Sequence, residues 1–137
     1  MLTIEIVTPE KIVHHLHGTE VILPTVDGQI GVRPGHIPLI TVLKPGEIEV
    51  KHPSHPTSYY AVAGGFVEVL GNVVRILADS ADRAEDLTEE KINAAIARAE
   101  RMKAEATEQG QFDAAFSLLE ASIARMKVFK RRKKTRS

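Results

Sequence analysis

This chain of 137 residues contains three stretches whose residues could take part in chemistry. The first is a run of histidines. His14, His15 and His17 fall in a predicted strand, where His15 and His17 would share one face. Imidazoles are common metal ligands, but no carboxylate stands beside them at an obvious ligand spacing. We therefore interpret them as surface histidines.

The second stretch is acidic and contains Asp79, Asp82, Glu85 and Asp86. A calcium-binding loop needs acids at alternating positions and a glycine at its sharp turn. This stretch has neither, so we interpret it as a solvated connection into the segment that follows.

The third stretch, Ala63-Gly64-Gly65, lacks the spacing of a phosphate-binding loop. Glycines inside a strand more often mark a bulge or a close approach of two backbones. His36 and Ser80 lie near turns, but nothing in the sequence brings them together as a catalytic set. The sequence predicts a protein without an active site of its own.

Composition narrows the class of protein further. The chain has no cysteine, so it has neither a disulfide framework nor a thiolate metal site. No apolar run approaches the roughly 20 residues that span a bilayer. The opening residues, Met1 to Val7, lack the features of a signal or transit peptide. We expect a soluble chain, or one peripheral to something larger.

The formal net charge of zero hides a division along the chain. Residues 1–87 contain 6 Lys/Arg and 11 Asp/Glu, whereas residues 88–137 contain 12 and 7. The basic excess is concentrated in Arg125, Lys127, Lys130, Arg131, Arg132, Lys133, Lys134 and Arg136. This division indicates an acidic partner for the C-terminal part. A solvated helix end, nucleic acid and an anionic membrane surface remain open at this point.

Residues 1 to about 80 follow the two-residue period of β-strands. The predicted strands are Leu2–Ile6, Ile12–His17, Glu20–Leu23, Gln29–Val32, Leu39–Leu43, Glu47–Lys51, Ser58–Val62, Phe66–Leu70 and Val73–Ala78. Asp27-Gly28 predicts a tight hairpin turn. Leu39–Leu43 is almost wholly apolar, which predicts a strand covered on both faces. Short strands with frequent turns predict a β-sandwich or a barrel, and we interpret residues 1–86 as a sandwich.

The period changes to that of a helix over residues 87–137. Thr88 is a good N-cap, and Gly110 is a plausible left-handed end for the first helix. A second helix is predicted from about Gln111. Its apolar positions, spaced 4-3-4-3 as in a coiled coil, form a seam of Phe112, Phe116, Leu119, Ile123 and Met126. The predicted fold is thus a β-sandwich followed by two antiparallel helices.

Several segments together resemble a known family. The stretch D-G-Q-I-G-V-R-P-G-H-I-P-L-I-T-V-L-K-P-G from Asp27 to Gly46, the strand A-G-G-F-V-E-V and the run I-L-A-D are similar to segments of the epsilon subunit of the F-type, rotary ATP synthase. The similarity covers nearly the whole chain in order. It implies the same two-part layout and a non-catalytic subunit of the central stalk.

The resemblance also implies partners for particular residues. The sandwich would clamp the gamma subunit to the membrane ring of c subunits, so that proton-driven rotation reaches gamma. The residues it places at that rotor contact are Asp27, Gly28, Gln29, Ile30, Gly31, Arg33 and His36. The helical hairpin would extend along gamma, carry its basic residues to the beta subunits and inhibit ATP hydrolysis. The chain would lie peripherally on the cytoplasmic side of a bacterial inner membrane, or on the stromal side in a plastid or cyanobacterium.

Some members of this family hold the hairpin down by binding ATP. Their motif is an aliphatic residue, Asp, two variable residues, Arg and Ala. The matching stretch here runs from Leu87 to Ile92, with Thr88 for the aspartate and Lys91 for the arginine. Lysine does not offer the planar fork of arginine, so we predict no cofactor. The alternative to the whole interpretation is a basic-tailed sandwich that binds nucleic acid, although the basic run has no aromatic stacking platform.

Overall fold

The structure, a computed structural model, describes residues 1–11 and 13–136, and the side chains of that range as far as Arg132. Ten strands followed by two helices make up this described part. The strands are β1 (Leu2–Val7), β2 (Val13–Gly18), β3 (Glu20–Thr25), β4 (Gly28–Val32), β5 (Leu39–Leu43), β6 (Gly46–Lys51), β7 (Ser58–Val62), β8 (Gly65–Leu70), β9 (Val73–Ala78) and β10 (Ala81–Arg83). The helices are α1 (Glu89–Glu105) and α2 (Gln109–Arg136).

The strands form one sheet that folds over into a sandwich. Their order is β10-β7-β6-β3-β5-β8-β9-β1-β2, with β4 on the other side of β3. The two halves are joined by the pairing of Thr25 with Leu43. The alternate residues of β1, Leu2, Ile4 and Ile6, are fully buried between the layers, as the two-residue period requires. The predicted fold class is confirmed.

The β3–β4 hairpin is as tight as predicted, but its turn lies one residue earlier. Thr25 pairs with Gly28, which leaves Val26 and Asp27 as the two loop residues. The Thr25 hydroxyl donates to the Gly28 carbonyl at 2.6 Å and accepts from the Asp27 amide at 3.2 Å. This buried threonine therefore fixes the turn from inside.

The prediction that Leu39–Leu43 is covered on both faces is wrong for this chain. Leu43 is buried, but Ile40 is 73% exposed and Val42 is also exposed. The apolar run arises because β5 packs one face on the core and presents a second apolar face outward.

The acidic stretch after β9 is more ordered than a solvated connection. Residues Ala81–Arg83 form β10, which pairs with β7 at the edge of the sheet. A single 3₁₀ turn, Ala84–Asp86, follows and buries Ala84. Short strands of mixed composition carry little periodic signal, which explains why the sequence did not indicate it.

Helix α1 begins as predicted and ends differently. The Thr88 hydroxyl accepts a hydrogen bond from the Lys91 amide at 3.3 Å, which confirms the N-cap. Gly110 is not the C-cap of α1, because it lies in the first turn of α2. The Gln111 side chain accepts from the Thr107 and Glu108 amides at 2.8 and 3.2 Å, so α2 is capped from within and starts early.

The face that α2 buries is not the predicted seam. Phe112, Phe116 and Ile123 are exposed, while Leu119 and Met126 are half-buried. The side chains that this helix buries are instead small, namely Ala115, Ala121, Ser122, Ala124 and Val128. Small residues allow close approach to α1 and to the sheet, so the larger apolar side chains are turned toward solvent.

Candidate functional site: two exposed surfaces and a docked helix

The first exposed surface is the turn at one end of the sandwich. Asp27, Gly28, Gln29 and Gly31 are exposed, and Ile30 is half-buried against the core. Gly28 has a φ of 110°, which side chains other than glycine rarely adopt. The structure thus presents a rigid, largely polar hairpin tip, suited to polar contacts with a partner.

Arg33 and His36 lie in the loop that leaves this hairpin. Arg33 Nε is 3.0 Å from Glu20 Oε2, and Lys51 Nζ is 3.2 Å from Glu20 Oε1. Hydrogen bonds from these two cations hold the pKa of the Glu20 carboxyl below its usual value. His36 is half-buried, with Nδ1 2.6 Å from the Ile37 carbonyl oxygen. Arg33 is therefore tied to its own sheet in this structure.

The second surface was not found from the sequence. It is an outer apolar face on β5, β8 and β9, where neighbouring strands align exposed side chains. Val42 pairs with Phe66, and Phe66 pairs with Leu77. The members of this outer apolar face are Ile40, Val42, Phe66, Leu70, Val73 and Leu77.

A cross-strand ion network interrupts this face. Arg75 lies 3.2 Å from Glu5 and 3.6 Å from Glu68. Contiguous apolar surface with polar groups set into it is typical of a protein–protein contact. The signal in the sequence was the almost wholly apolar strand β5, which we predicted to be covered on both faces within the chain.

Helix α2 lies against β6, β7 and the 3₁₀ turn, and arginines fix it there. Arg125 Nε donates to Asp82 at 2.7 Å, and its Nη2 donates to the Ser80 hydroxyl at 3.1 Å. Asp82 on β10 is thus a partner of the helix, although the sequence analysis interpreted its stretch as solvated.

A second arginine fixes the helix further along. Arg131 Nη1 lies 2.6 Å from Glu47 Oε1 on β6, and its Nη2 lies 3.6 Å from Glu49. The Arg132 guanidinium stacks over the Tyr59 ring at 4.7 Å from its centroid. Three of the predicted basic residues therefore contact the sandwich in this conformation.

The other predicted basic residues differ from these three. Lys127 and Lys130 are exposed on the same helix. Lys133 and Lys134 belong to α2, but their side chains lie outside the part that the structure describes. The basic run is hence divided between sandwich contacts and an exposed remainder.

Glu47 is the most perturbed carboxyl group in this contact. Burial, the largest cause, and the neighbouring Glu49 carboxyl together raise its pKa to about 7, against the opposing attraction of Arg131 and Arg132. Glu47 and Glu49 point to one face because they are two residues apart on β6. The sequence analysis placed both residues in the predicted strand Glu47–Lys51 and gave no sign of their role as helix partners.

A cavity of about 260 Å³ lies where the ATP motif of some relatives would fall. Leu87, Thr88, Lys91 and Ile92 line it together with Asp82 and Arg125. The Thr88 hydroxyl is used as the cap of α1, and Arg125 is bound to Asp82. An ATP phosphate would have to displace that carboxylate from its arginine.

The histidines occupy separate environments. His14 makes an edge contact with Tyr60, and desolvation followed by repulsion from Arg83 lowers its pKa. His15 lies 3.8 Å from the Glu5 carboxylate across the β1–β2 pair. Among residues 1–11 and 13–136, no group of histidine and acidic side chains is arranged to hold a metal ion.

Gly64 and Gly65 have a structural role, as the sequence analysis predicted for them. Both have positive φ, and a Cβ on Gly65 would lie 1.9 Å from the Leu77 carbonyl oxygen. The predicted close approach of two backbones is confirmed.

Neither helix, as far as it is described, is long and apolar enough to cross a membrane.

A tight polar tip and an outer apolar face give this chain two surfaces suited to docking on a partner, and ion pairs hold α2 on the sandwich. A family model described as the β-sandwich domain of the ATP synthase delta/epsilon chain matches residues 1–84. The ATP synthase epsilon chain of Latilactobacillus sakei is 38% identical over 133 residues, covering 96% of this chain and 90% of the relative. That of Myxococcus xanthus is 41% identical over 125 residues, covering 90% and 88%.

The chain belongs to the epsilon-chain family of the F-type ATP synthases, as the sequence predicted. It is a non-catalytic subunit of the central stalk.

Solved structures agree with this assignment. A chain of the Euglena gracilis mitochondrial ATP synthase, solved with F1 and the c-ring, superimposes with a TM-score of 0.71 at 25% identity. The alignment covers 90% of this chain and 78% of that one. A Tetrahymena thermophila ATP synthase chain from the central stalk and c-ring shares the fold, with a TM-score of 0.65 at 15% identity.

Proposed function

We propose that this chain couples rotation of the proton-driven c ring to the gamma subunit and inhibits ATP hydrolysis through its C-terminal helices. The observation that carries the proposal is the outer apolar face. Six apolar side chains lie exposed on adjacent strands of a rigid sheet, which is costly unless another protein covers them. Gamma is the partner we assign to this face, and the polar β3–β4 tip is the part we assign to the c ring.

The inhibitory role rests on how the hairpin is held. Arg125, Arg131 and Arg132, all expected to reach the beta subunits, contact the sandwich in the docked state. They become available to an acidic partner only when α2 leaves the sheet. Docked and extended states therefore compete for the same cations, and beta shifts the population toward extension.

The test uses the catalytic head of the source organism stripped of its own epsilon subunit. We expect the full-length chain to bind the head and to lower its ATP hydrolysis. Phe66→Asp and Leu77→Asp place a charge in the outer apolar face and should abolish binding. Ser54→Asp puts the same charge in the exposed loop before β7 and is the matched control. Binding by the face variants as tight as by the unmodified chain would contradict the assignment of gamma to this face.

Inhibition is tested separately from binding. Lys127→Glu and Lys130→Glu should leave association with the head intact, because both residues are exposed on α2 and neither lies on the outer apolar face. We expect the inhibition of hydrolysis to weaken at least several-fold, since both variants would repel an acidic segment of beta. Unchanged inhibition would remove the ionic contact from the proposal and leave the coupling role standing.

The docked helix gives little support to the nucleic-acid alternative. In its described part, as far as Arg132, three basic side chains of the run contact Asp82, Glu47 and Tyr59. For the location, we propose peripheral attachment on the cytoplasmic side of a bacterial membrane, or the stromal side in a plastid or cyanobacterium, where the stalk meets the ring.

A further inference from the structure

The contact between β6 and α2 contains two carboxylates and one arginine at close range. The side chain of Glu47 is 11% exposed and that of Glu49 is 17% exposed, whereas that of Arg131 is 63% exposed. Glu47 Oε1 binds Arg131, but Oε2 is buried with no hydrogen-bond partner among the residues that the structure describes. Two ionised carboxylates cannot bond each other, because one of them must supply a proton.

Charged groups from each neighbouring element surround Glu47. They are Glu49 on β6, Lys44 before β6, and Lys127, Lys130, Arg131 and Arg132 on α2. Arg131 and Arg132 favour the ionised form of Glu47, whereas burial and Glu49 favour the protonated form. Burial is the largest of these influences, so the docked helix itself disfavours the charge.

We propose that Glu47 and Glu49 form a proton-controlled latch, which holds α2 on the sandwich when the pair carries a proton and releases it when both carboxylates are ionised. The proton lies between the two side chains and satisfies the buried Oε2. Arg131 then neutralises the one remaining charge. When α2 leaves, Glu47 becomes exposed to water and gives up its proton near the ordinary value for a glutamate.

The direction of the effect follows from linkage. The pKa of Glu47 is about 7 in the docked state, against a reference value of 4.5 for an exposed glutamate. A group with a raised pKa contributes stability that is complete below the reference value and is lost as the pH rises through the docked value. Between pH 6 and 8 we expect the docking equilibrium constant to fall about tenfold. Mild alkalinity should thus favour release of the helix.

The latch can be tested on the isolated full-length chain, which makes the test independent of the proposed function. The chain has no cysteine, so Ser54→Cys and Ser117→Cys give unique sites for a fluorescent donor and acceptor. Both serines are exposed, one before β7 and the other on α2. Energy transfer is recorded against urea at pH 6, 7 and 8, while NMR signals confirm that the sandwich stays folded. We expect the urea midpoint for loss of transfer to fall steadily with pH.

Glu47→Gln imitates the protonated form and should hold the helix docked at all three pH values. Glu49→Gln removes the neighbouring carboxylate and should move the fall to lower pH. Asp82→Asn breaks the other ion pair of α2 and is the control, with a lower midpoint at every pH and the same fall. An equal fall in the parent chain and in both glutamine variants would overturn the proposal, as would a parent midpoint independent of pH.

Discussion

Different kinds of residue form the interior of the sandwich and its contact with α2. The sandwich core contains sixteen buried residues, most of them Leu, Ile and Val, such as Leu23, Ile48 and Ile76. The buried cluster beneath α2 consists of Ala61, Ala84 and Val128, with Tyr59 and Leu87 packed beside it. Fully burying one large aliphatic side chain contributes about 1.5–3 kcal/mol, whereas an alanine contributes far less. The two parts must therefore differ widely in stability.

This difference suits the two roles that we propose, a clamp and a switch. In the proposed function the sandwich transmits force, and its closed core serves that role. The hairpin is held by a small apolar contact together with ion pairs at Arg125 and Arg131. Each pair has one partly buried partner, so the cost of removing that charge from water offsets part of the electrostatic attraction. The docked state therefore lies within reach of a competing partner.

The largest expected effect is on the sandwich, at Gly65. Gly65→Ala puts a Cβ 1.9 Å from the Leu77 carbonyl oxygen at a φ of 138°, so β8 and β9 cannot keep their pairing. We expect a loss of at least about 3 kcal/mol in the free energy of unfolding, measured by urea denaturation. Gly71→Ala is the matched control, since its φ is 61° and nothing lies within 4 Å of the added Cβ. That control should cost only about 1 kcal/mol. Similar losses for both variants would show that backbone conformation, not the close approach, sets the requirement for glycine.

A second comparison separates the two faces of β9. Ile76 is fully buried, so Ile76→Ala should lower the free energy of unfolding by about 3 kcal/mol. Leu77 is the next residue but is 47% exposed on the outer apolar face. We expect Leu77→Ala to change stability by about 0.5 kcal/mol and to weaken binding to the catalytic head instead. A large loss of stability for Leu77→Ala would mean that the outer face is packed within the chain.

A substitution in the contact of α2 with the sheet should have a smaller effect on stability, and that effect should be confined to the helix. Val128→Ala removes about two methylene equivalents from the buried cluster, or roughly 1.5 kcal/mol. We expect trypsin to cut the helix about tenfold faster, because the undocked population rises by that factor, while the urea midpoint of the sandwich stays unchanged. Ile123→Ala is the control, since Ile123 is exposed on the same helix. A fall in the sandwich midpoint with Val128→Ala would show that the two regions unfold as one unit.

Local patterns explain why much of the sandwich was predictable. Runs of strand-forming residues bounded by turn residues placed β5, β7 and β9 with their observed bounds, and Thr88 marked the start of α1. The β3–β4 hairpin was found because its turn residues marked it. Its contact with the rotor stays a prediction that rests on the family resemblance.

What the sequence missed depends on contacts between distant segments. An alternating strand such as β6 looks the same whether water or α2 covers Glu47 and Glu49. Likewise, the apolar run of β5 does not reveal whether its second face is covered by this chain or by another. The seam on α2 was placed on the wrong face for a related reason. Heptad spacing identifies large apolar side chains, but the close contact here is made by alanines.

The smallest effect on stability is expected at Phe116, and it tests whether the exposed side of α2 has a purpose. The ring is 56% exposed in the docked state, so Phe116→Gln should change the free energy of docking by less than about 0.5 kcal/mol. The neighbouring Ala115 is buried, and Ala115→Gln should undock the hairpin. If the seam of Phe112, Phe116 and Ile123 packs on gamma after extension, Phe116→Gln should also weaken inhibition of the catalytic head several-fold. A variant that docks normally and inhibits fully would leave this exposed apolar row unexplained. One that docks normally and inhibits poorly would assign the row to the extended state, because only there would the ring be buried.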